Sequence, residues 1–222
     1  VVTDTALAAG EASLVTFTFS EAVTNFTNAD LSIANGTLSA VSSSDGGTTW
    51  TATLTPTEDV EDSSNLITLA DASITDIAGN TISGSTDSNN YAIDTLRPTA
   101  TIVVEDNALN IGDSSLVTIT FNEAVSGFDN SDISIANGTL SAISSADGGT
   151  TWTATLTPDA PIEDTTNIFT VDNTGVTDAA GNTGAGSSNS NNYEVDTVRP
   201  TVGIVVTDTA LAAGEASLVT FT

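Results

Sequence analysis

The feature that most constrains this chain is an internal repeat with a period of 102 residues. Residues 1–7, 103–109 and 205–211 align with one another, and residues 205–222 repeat residues 1–18 letter for letter. A period near 100 residues is too long for a solenoid unit and matches a complete domain. The sequence therefore predicts a first domain at 1–95 that starts a few residues late, a second at 96–197, and at 198–222 the opening strands of a third.

Each repeat ends on the same short connector. Asp-Thr-Leu-Arg-Pro-Thr at 94–99 returns as Asp-Thr-Val-Arg-Pro-Thr at 196–201, and Arg97 and Arg199 are the only basic residues of the chain. Proline fixes its own φ and biases the preceding residue towards an extended conformation. The connector is therefore predicted to be short, stiff and extended, unlike a flexible Gly/Ser tether.

Within a repeat, apolar residues alternate with a period of two, and no segment carries a helical stripe. Residues 49–55, for example, place Trp50, Ala52 and Leu54 on one face and four threonines on the other. Asn-Gly, Asp-Gly-Gly and Thr-Pro turn signals separate such stretches. Strands are predicted, with equivalents 102 residues later, at about 1–5, 13–19, 31–34, 37–43, 48–55, 65–70, 74–76 and 89–94. This pattern predicts an all-β chain of tandem immunoglobulin-like Greek-key β-sandwiches joined by short rigid linkers.

The composition excludes several classes of function. With 29 acidic residues against two basic ones the net charge is −27, so the chain repels nucleic acid and anionic membranes. No apolar run approaches the roughly 18 residues of a membrane-spanning helix. The absence of Cys and His removes disulfides, thiolate zinc sites and the usual general base. We therefore expect no enzyme and no small-molecule substrate, since carboxylates alone would have to perform the catalysis.

Four segments resemble a known family of repeats: 15–23, 30–38, 75–80 and the connector, each present in both repeats. In this order they are similar to the extender repeats of calcium-dependent RTX adhesins, giant bacterial surface proteins used in biofilm formation and in ice or host attachment. The resemblance implies calcium ions at the joints and a stalk that projects a separate ligand-binding domain. It also implies an extracellular location at the bacterial surface after type I secretion. The Gly-Gly-x-Gly-x-Asp repeats of the secretion end are missing, so only the extender part is implied.

The order of the strands independently favours calcium at the joints. If successive strands alternate in direction, the loop containing Glu123 and the turn 178–182 face back towards Asp94 of the preceding repeat. Calcium takes 6–8 oxygen ligands at once, which suits carboxylates gathered from two domains and a linker. The candidate ligands are Asp4, Glu21, Asp30, Asp62, Asp76, Asn80, Asp94, Asp106, Glu123, Asp132, Asp164, Asp178, Asn182 and Asp196.

Other interpretations remain open at this point. Any one of these acids can equally be a solvated surface residue or the cap of a local turn. The row of Thr49, Thr51, Thr53 and Thr55 could bind ice or sugar, although threonine is also an ordinary strand residue. The expected partners are neighbouring repeats of the same chain and calcium ions. The alternatives are a carbohydrate-, ice- or cell-binding module and a homophilic, cadherin-like adhesion repeat.

Overall fold

The computed structural model describes residues 1–70 and 74–222, and it confirms an all-β chain. The strands of the first repeat are Ala6–Ala8, Ser13–Thr18, Val23–Thr24, Leu31–Ile33, Gly36–Leu38, Ser42–Ser43, Thr49–Pro56, Glu61–Asn65, Ile67–Leu69, Thr75–Asp76, Thr86–Asp87 and Tyr91–Asp94. Those of the second are Ala100–Val104, Ala108–Asn110, Ser115–Phe121, Ile133–Ile135, Gly138–Leu140, Ser144–Ser145, Thr151–Pro158, Glu163–Asn167, Phe169–Asp172, Ser187–Asn189 and Tyr193–Asp196. The 3₁₀ turns are Asn28–Asp30, Asn130–Asp132 and Asn173–Gly175. Within these described ranges, no helix is long and apolar enough to cross a membrane.

One layer of the second repeat is an antiparallel sheet built around Ser115–Phe121. This strand pairs with Ala100–Val104 on one side and with Thr151–Pro158 on the other. Thr151–Pro158 then carries the sheet on to Gly138–Leu140 and Ser144–Ser145. The first strand of the repeat thus begins directly after the connector, which places the joint at the start of this sheet.

The opposite layer of the second repeat consists of two groups of three strands. In the first, Tyr193–Asp196 runs parallel to Ala108–Asn110 and antiparallel to Glu163–Asn167. The second group is antiparallel throughout and consists of Ile133–Ile135, Phe169–Asp172 and Ser187–Asn189. Asp196, the last residue of its strand, therefore lies at the end of the repeat that faces the next connector.

A single apolar core joins the two layers. Val117 and Ile119 of the first layer and Phe169 and Tyr193 of the second are 0% exposed and belong to one cluster. The Tyr193 hydroxyl donates a hydrogen bond to the Ala136 carbonyl oxygen at 3.0 Å, so the one polar atom of this ring is satisfied. Two sheets packed on a shared core form a β-sandwich, as the two-residue periodicity predicted.

The first repeat has the same two layers, with a single Val2–Val15 bridge in place of the strand Ala100–Val104, and its tryptophan packs inwards as predicted. Trp50 contacts the Phe26 ring edge-on, with the ring centroids 5.4 Å apart. Its Nε1 donates a hydrogen bond to the Gly47 carbonyl oxygen at 3.0 Å. Thr53 and Thr55 of the same strand are exposed. The alternation in residues 49–55 therefore reflects a core face and a solvent face.

Several predicted strand boundaries were wrong. The predicted strand 37–43 is divided into Gly36–Leu38 and Ser42–Ser43, and of the strand predicted at 1–5 only Val2 pairs, in a single bridge to Val15. Glu61–Asn65 was missed, because a run of polar residues carries no apolar alternation. It forms by pairing with Tyr91–Asp94 across a β-bulge, where the buried Asn65 side chain donates to the Asp62 and Tyr91 carbonyl oxygens. Tertiary pairing thus overrides local propensity here.

The residues after the second repeat form a hairpin of Ile204–Val206 and Val219–Phe221. Its large apolar side chains are exposed, including Ile204 at 61% and Phe221 at 67%. Two strands alone offer no second layer to cover these side chains.

Candidate metal centre at the joint

The connector is held by hydrogen bonds to both repeats. Thr95, 2% exposed, donates from its hydroxyl to the Thr57 carbonyl oxygen at 2.7 Å, which fixes the connector to the first repeat. On the other side of Pro98, the Asn122 side chain accepts from the Thr99 N–H at 2.7 Å and donates to the Arg97 carbonyl oxygen at 3.2 Å. The stiffness predicted from Pro98 is therefore supported by side-chain contacts at each end.

Arg97 also orients the joint, through a carbonyl group. Its guanidinium Nη1 donates to the Thr183 carbonyl oxygen in the second repeat at 2.7 Å. This contact fixes the connector to the turn that precedes Gly184, a residue whose added Cβ would lie 3.0 Å from the Pro98 carbonyl oxygen. That Cβ would meet the Asn173 carbonyl oxygen even more closely, so glycine at position 184 admits both the neighbouring backbone of the second repeat and the connector.

The turn from Asp178 to Asn182 carries the main contact between the repeats. Asp178 Oδ1 accepts from the Gly181 and Asn182 N–H groups at 2.7 and 2.8 Å, and Gly181 has φ +98°. An aspartate that bonds the following backbone and a glycine in the left-handed region are the standard chemistry of such a turn. The turn therefore forms locally and presents the Asn182 side chain to the first repeat.

Asn182 connects the two repeats directly. Its Oδ1 accepts from the Ala9 N–H at 2.6 Å, while its Nδ2 donates to the Asp94 carbonyl oxygen at 2.9 Å and to Asp178 Oδ2 at 2.8 Å. The residue is only 2% exposed. A buried amide whose donors and acceptor are all used fixes the position and orientation of the second repeat relative to the first.

Three carboxylates meet beside Asn182. Asp94 ends the last strand of the first repeat, Glu123 follows Ser115–Phe121, and Asp178 begins the turn. One carboxylate oxygen from each residue lies within 4.8 Å of the other two. Asp94 and Glu123 are half-buried and Asp178 is buried. The structure thus brings together three of the predicted ligands, from both repeats, at the place that strand order indicated.

The electrostatics of this cluster disfavour three negative charges. Burial and the nearby carboxylates of Asp178, Asp94 and Glu61 raise the pKa of Glu123 to about 7. Burial, with Asp178 and Glu61 as further causes, also raises the pKa of Asp94. Like charges that are removed from water and held together raise the free energy of the ionised form. Bound positive charge would therefore stabilise this arrangement.

The donor set fits a hard divalent cation. Calcium binds carboxylate oxygens at 2.3–2.6 Å, so two oxygens on one ion are at most about 5 Å apart. The separations of up to 4.8 Å within the cluster meet that limit. Asp94, Glu123 and Asp178 could together hold such an ion, with further coordination from water.

The remaining predicted ligands lie outside this cluster. Asp30 and Asp132 accept from the N–H groups of Thr27 and Asp129 in capping boxes. The other members of the set bond locally or lie at the far ends of the repeats. Asp4 and Asp106 accept from the N–H groups two residues later. Asp62 and Asp164 accept from the side chains of Asn35 and Asn137. The last four, which lie 102 residues from Glu123, Asp178, Asn182 and Asp94, are Glu21, Asp76, Asn80 and Asp196.

Sequence reasoning missed two residues of the joint. The Ala9 backbone N–H could not be found from side-chain chemistry, because any residue except proline offers it. Asn122 differs from Ser20, its equivalent in the first repeat, but the two repeats differ at many positions, so this difference alone does not mark a residue of the joint.

Comparison with known proteins gives the following relationships. No curated protein matches the chain. Among solved structures it is similar to FdeC, described as a novel broadly conserved Escherichia coli adhesin that elicits protection against urinary tract infections. That likeness covers 100% of this chain and 71% of FdeC, at 13% identity and a TM-score of 0.33. The family model described as bacterial Ig-like domain matches residues 1–93 and 94–195. The chain therefore belongs to the bacterial Ig-like domain family and carries two copies of that domain in tandem.

Proposed function

We propose that this chain is a stretch of extender repeats from the stalk of a bacterial cell-surface adhesin, and that calcium at the joint stiffens the stalk. The observation that carries the proposal is the convergence of Asp94 from one repeat with Glu123 and Asp178 from the next. Ligands from two domains that share one ion have their relative position fixed by it. The proposal includes an extracellular location after type I secretion and a separate domain that binds the adhesin's ligand.

The joint is suited to a cation that stabilises a preformed arrangement. Without any ion, Asn182 bonds to the first repeat, and Asn122 and Arg97 fix the connector to the second. These bonds limit the orientations that the second repeat can adopt, which lowers the entropic cost of binding the ion. Calcium would supply the positive charge that offsets the repulsion among the three carboxylates, and their mutual distances would then be maintained.

A mechanical role agrees with the rest of the chain. Two similar sandwiches follow one another through a connector fixed on both sides, an arrangement that extends a chain in one direction. The sequence contains no His and no Cys, which leaves carboxylates as its acid–base groups. The proposed partners are therefore calcium and the neighbouring repeats. The proposed role is to stiffen the stalk and to hold the ligand-binding domain away from the cell.

Small-angle scattering and thermal unfolding test this proposal on the intact chain, with calcium and then with a chelator. We expect calcium to narrow the distribution of interatomic distances and to raise the melting temperature. Glu123→Gln should weaken both responses, because it removes one charged ligand. Glu21→Gln is the matched control, since Glu21 is the equivalent residue in the first repeat and lies outside the joint.

Other outcomes would favour the alternatives. Unchanged shape and unchanged melting temperature would show that the carboxylates are only a solvated cluster. An increase in mass with calcium, at constant monomer shape, would indicate homophilic, cadherin-like adhesion. Affinity for ice or for a glycan that persists in chelator would indicate a binding module. Each result is distinct from the shape change expected for a cation-stiffened stalk.

A further inference from the structure

The chain contains two Asn-Gly dipeptides, Asn35-Gly36 and Asn137-Gly138, and the fold requires both residues of each. Asn35 has φ +54° and Asn137 has φ +58°, in the left-handed region where asparagine is enriched among residues other than glycine. A Cβ added to Gly36 would lie 3.0 Å from the Thr55 carbonyl oxygen of the paired strand. Glycine is therefore needed for close packing, and asparagine suits the turn that precedes it.

The same dipeptide is chemically labile, because glycine has no side chain to shield its own backbone nitrogen. In deamidation that nitrogen attacks the asparagine Cγ and loses its proton, and the bond from Cγ to Nδ2 breaks as ammonia leaves. Water then opens the cyclic imide to aspartate or isoaspartate. The chain has no methionine and no cysteine to oxidise. Its Asn-Gly dipeptides therefore stand out as sites of spontaneous covalent damage.

The side chain of Asn35 is held by two partners from the strand Glu61–Asn65. Its Nδ2 donates to Asp62 Oδ2 at 2.9 Å and to Asn65 Oδ1 at 2.8 Å, which uses both hydrogens of the amide. The backbone carbonyl oxygen of Asn35 accepts from the Thr57 N–H at 2.9 Å. The side chain and the backbone of this half-buried residue are therefore fixed together.

The second repeat has the same arrangement. Asn137 Nδ2 donates to Asp164 Oδ2 at 2.9 Å and to Asn167 Oδ1 at 2.7 Å. The Asn137 carbonyl oxygen accepts from the Asp159 N–H at 3.0 Å. Each pair of side-chain partners forms an amide clamp: Asp62 with Asn65 in the first repeat, and Asp164 with Asn167 in the second.

The amide clamp is itself fixed to the fold. Asn167 is 1% exposed, and its Nδ2 donates to the carbonyl oxygens of Asp164 and Tyr193 at 3.0 and 3.1 Å. Asp164 Oδ1 accepts at 2.9 Å from the backbone N–H two residues later. Attack by the Gly138 nitrogen requires the Asn137 Cγ to approach it and become tetrahedral, which displaces Nδ2 from both acceptors. The buried Asn167 oxygen would then lose its donor, and leaving a buried polar atom unsatisfied is costly.

We propose that the amide clamp protects each Asn-Gly dipeptide against deamidation while its repeat is folded, so that Asn35 and Asn137 become modification sites only on unfolding. The amide clamp includes none of the three carboxylates of the joint and needs no cation. The proposal is therefore independent of the proposed function.

Deamidation in an unfolded repeat would damage the fold when the chain refolds. The aspartate formed at position 35 or 137 has no N–H to donate, and its carboxylate would face the Oδ2 atom of Asp62 or Asp164. Two like charges held together in a half-buried site disfavour the folded state. A repeat modified while unfolded would therefore be less stable afterwards.

Mass spectrometry of proteolytic peptides tests the proposal, after the intact chain has been kept folded at mildly alkaline pH. Asp164→Ala removes one acceptor in the second repeat only, so Asn35 serves as the internal reference. We expect deamidation at Asn137 to become at least about fivefold faster than in the natural chain, and the rate at Asn35 to stay unchanged. Glu163→Ala is the matched control, because it removes the adjacent, exposed carboxylate of the same strand. In urea, both asparagines of the natural chain should deamidate rapidly.

A core variant separates the amide clamp from overall stability, since a repeat that unfolds more often also deamidates faster. Ile119 is 0% exposed and pairs with Trp152, whereas Gly138 pairs with Pro158 at the other end of the same strand. Ile119→Ala therefore destabilises the second repeat without touching the dipeptide. At denaturant concentrations that give both variants the same unfolded fraction, we expect slower deamidation of Asn137 in Ile119→Ala than in Asp164→Ala.

Three results would overturn the proposal. Equal rates at Asn137 in the two variants would mean that stability alone provides the protection. A natural chain that deamidates as fast when folded as in urea would mean that there is no protection. An unchanged or slower rate in Asp164→Ala would mean that the carboxylate does not restrain the amide, and a slower rate would indicate that it assists the loss of ammonia.

Discussion

Asn182 in the second repeat donates a hydrogen bond of 2.9 Å to the backbone carbonyl oxygen of Asp94 in the first. Its counterpart Asn80, 102 residues earlier, is exposed and donates to Asp76 Oδ2 of its own turn. The two turns share Asp, Ala-Gly and Asn at matching positions. The same turn therefore forms locally in both repeats, and at Asn182 its side chain makes the link to the first repeat.

Replacing Asn182 by alanine should loosen the joint. The Ala9 N–H and the Asp94 carbonyl oxygen both lose a partner, which we expect to cost about 1–3 kcal/mol of docking free energy. Small-angle scattering should show a broader distribution of interatomic distances, and the second repeat should unfold at a lower denaturant concentration. Asn80→Ala is the control, because it removes the turn bond without an interdomain contact. Equal effects from both variants would mean that Asn182 acts only within its turn.

The raised pKa of Glu123 predicts that docking of the two repeats depends on pH in the absence of divalent cations. Its pKa is about 7 in the docked state, against 4.5 for a free glutamate. Because docking raises this pKa, the docked state is most favoured below about pH 4.5, and that advantage is lost as the pH rises through about 7. We expect scattering in chelator to give a narrower distance distribution at pH 5 than at pH 8.

The variant Glu123→Gln isolates this effect. Glutamine cannot ionise, so the joint should remain compact at pH 8 and change less between the two pH values. Asp94, whose pKa is raised for similar reasons, would account for any remaining dependence. An unaltered pH response in this variant would assign the effect to other carboxylates.

Arg97→Ala should affect the joint weakly. The residue is exposed, so the loss of its bond to the Thr183 carbonyl oxygen should cost at most about 1 kcal/mol. Arg199→Ala makes the same change of charge at the next connector and serves as control. Residual dipolar couplings of the two repeats would report their relative orientation. We expect greater interdomain averaging for Arg97→Ala than for the control.

The two repeats should unfold as units with separate cores. Leu156 is 0% exposed within the core of the second repeat, and Leu156→Ala should lower the stability of that repeat by about 2–5 kcal/mol. Leu116, 44% exposed on a neighbouring strand, is the control, and its replacement by alanine should cost less than about 1 kcal/mol. Tryptophan fluorescence of Trp152 during denaturation, with Trp50 replaced by phenylalanine, would follow the second repeat alone.

The candidate site was largely predictable because its position depends on topology. Once strands alternate in direction, the loop after Ser115–Phe121 and the turn at Asp178 must lie at the end of the domain where the connector enters. Asp94 ends the preceding strand, so convergence of the three carboxylates follows without any side-chain detail. Which acids remain outside the cluster did not follow, because Asp30 and Asp62 bond local partners that only the folded backbone supplies.

The sequence by itself determined the repeat, the all-β class and the inward faces of the long strands, because each depends on periodicity along the chain. Only the tertiary structure decided that Glu61–Asn65 is a strand, since its pairing with Tyr91–Asp94 is a contact between distant residues. It also decided that Asn182 is buried, since Ala9 and Asp94 of the first repeat lie against it. The burial of this side chain depends on what lies across the joint and not on the residues of its own turn.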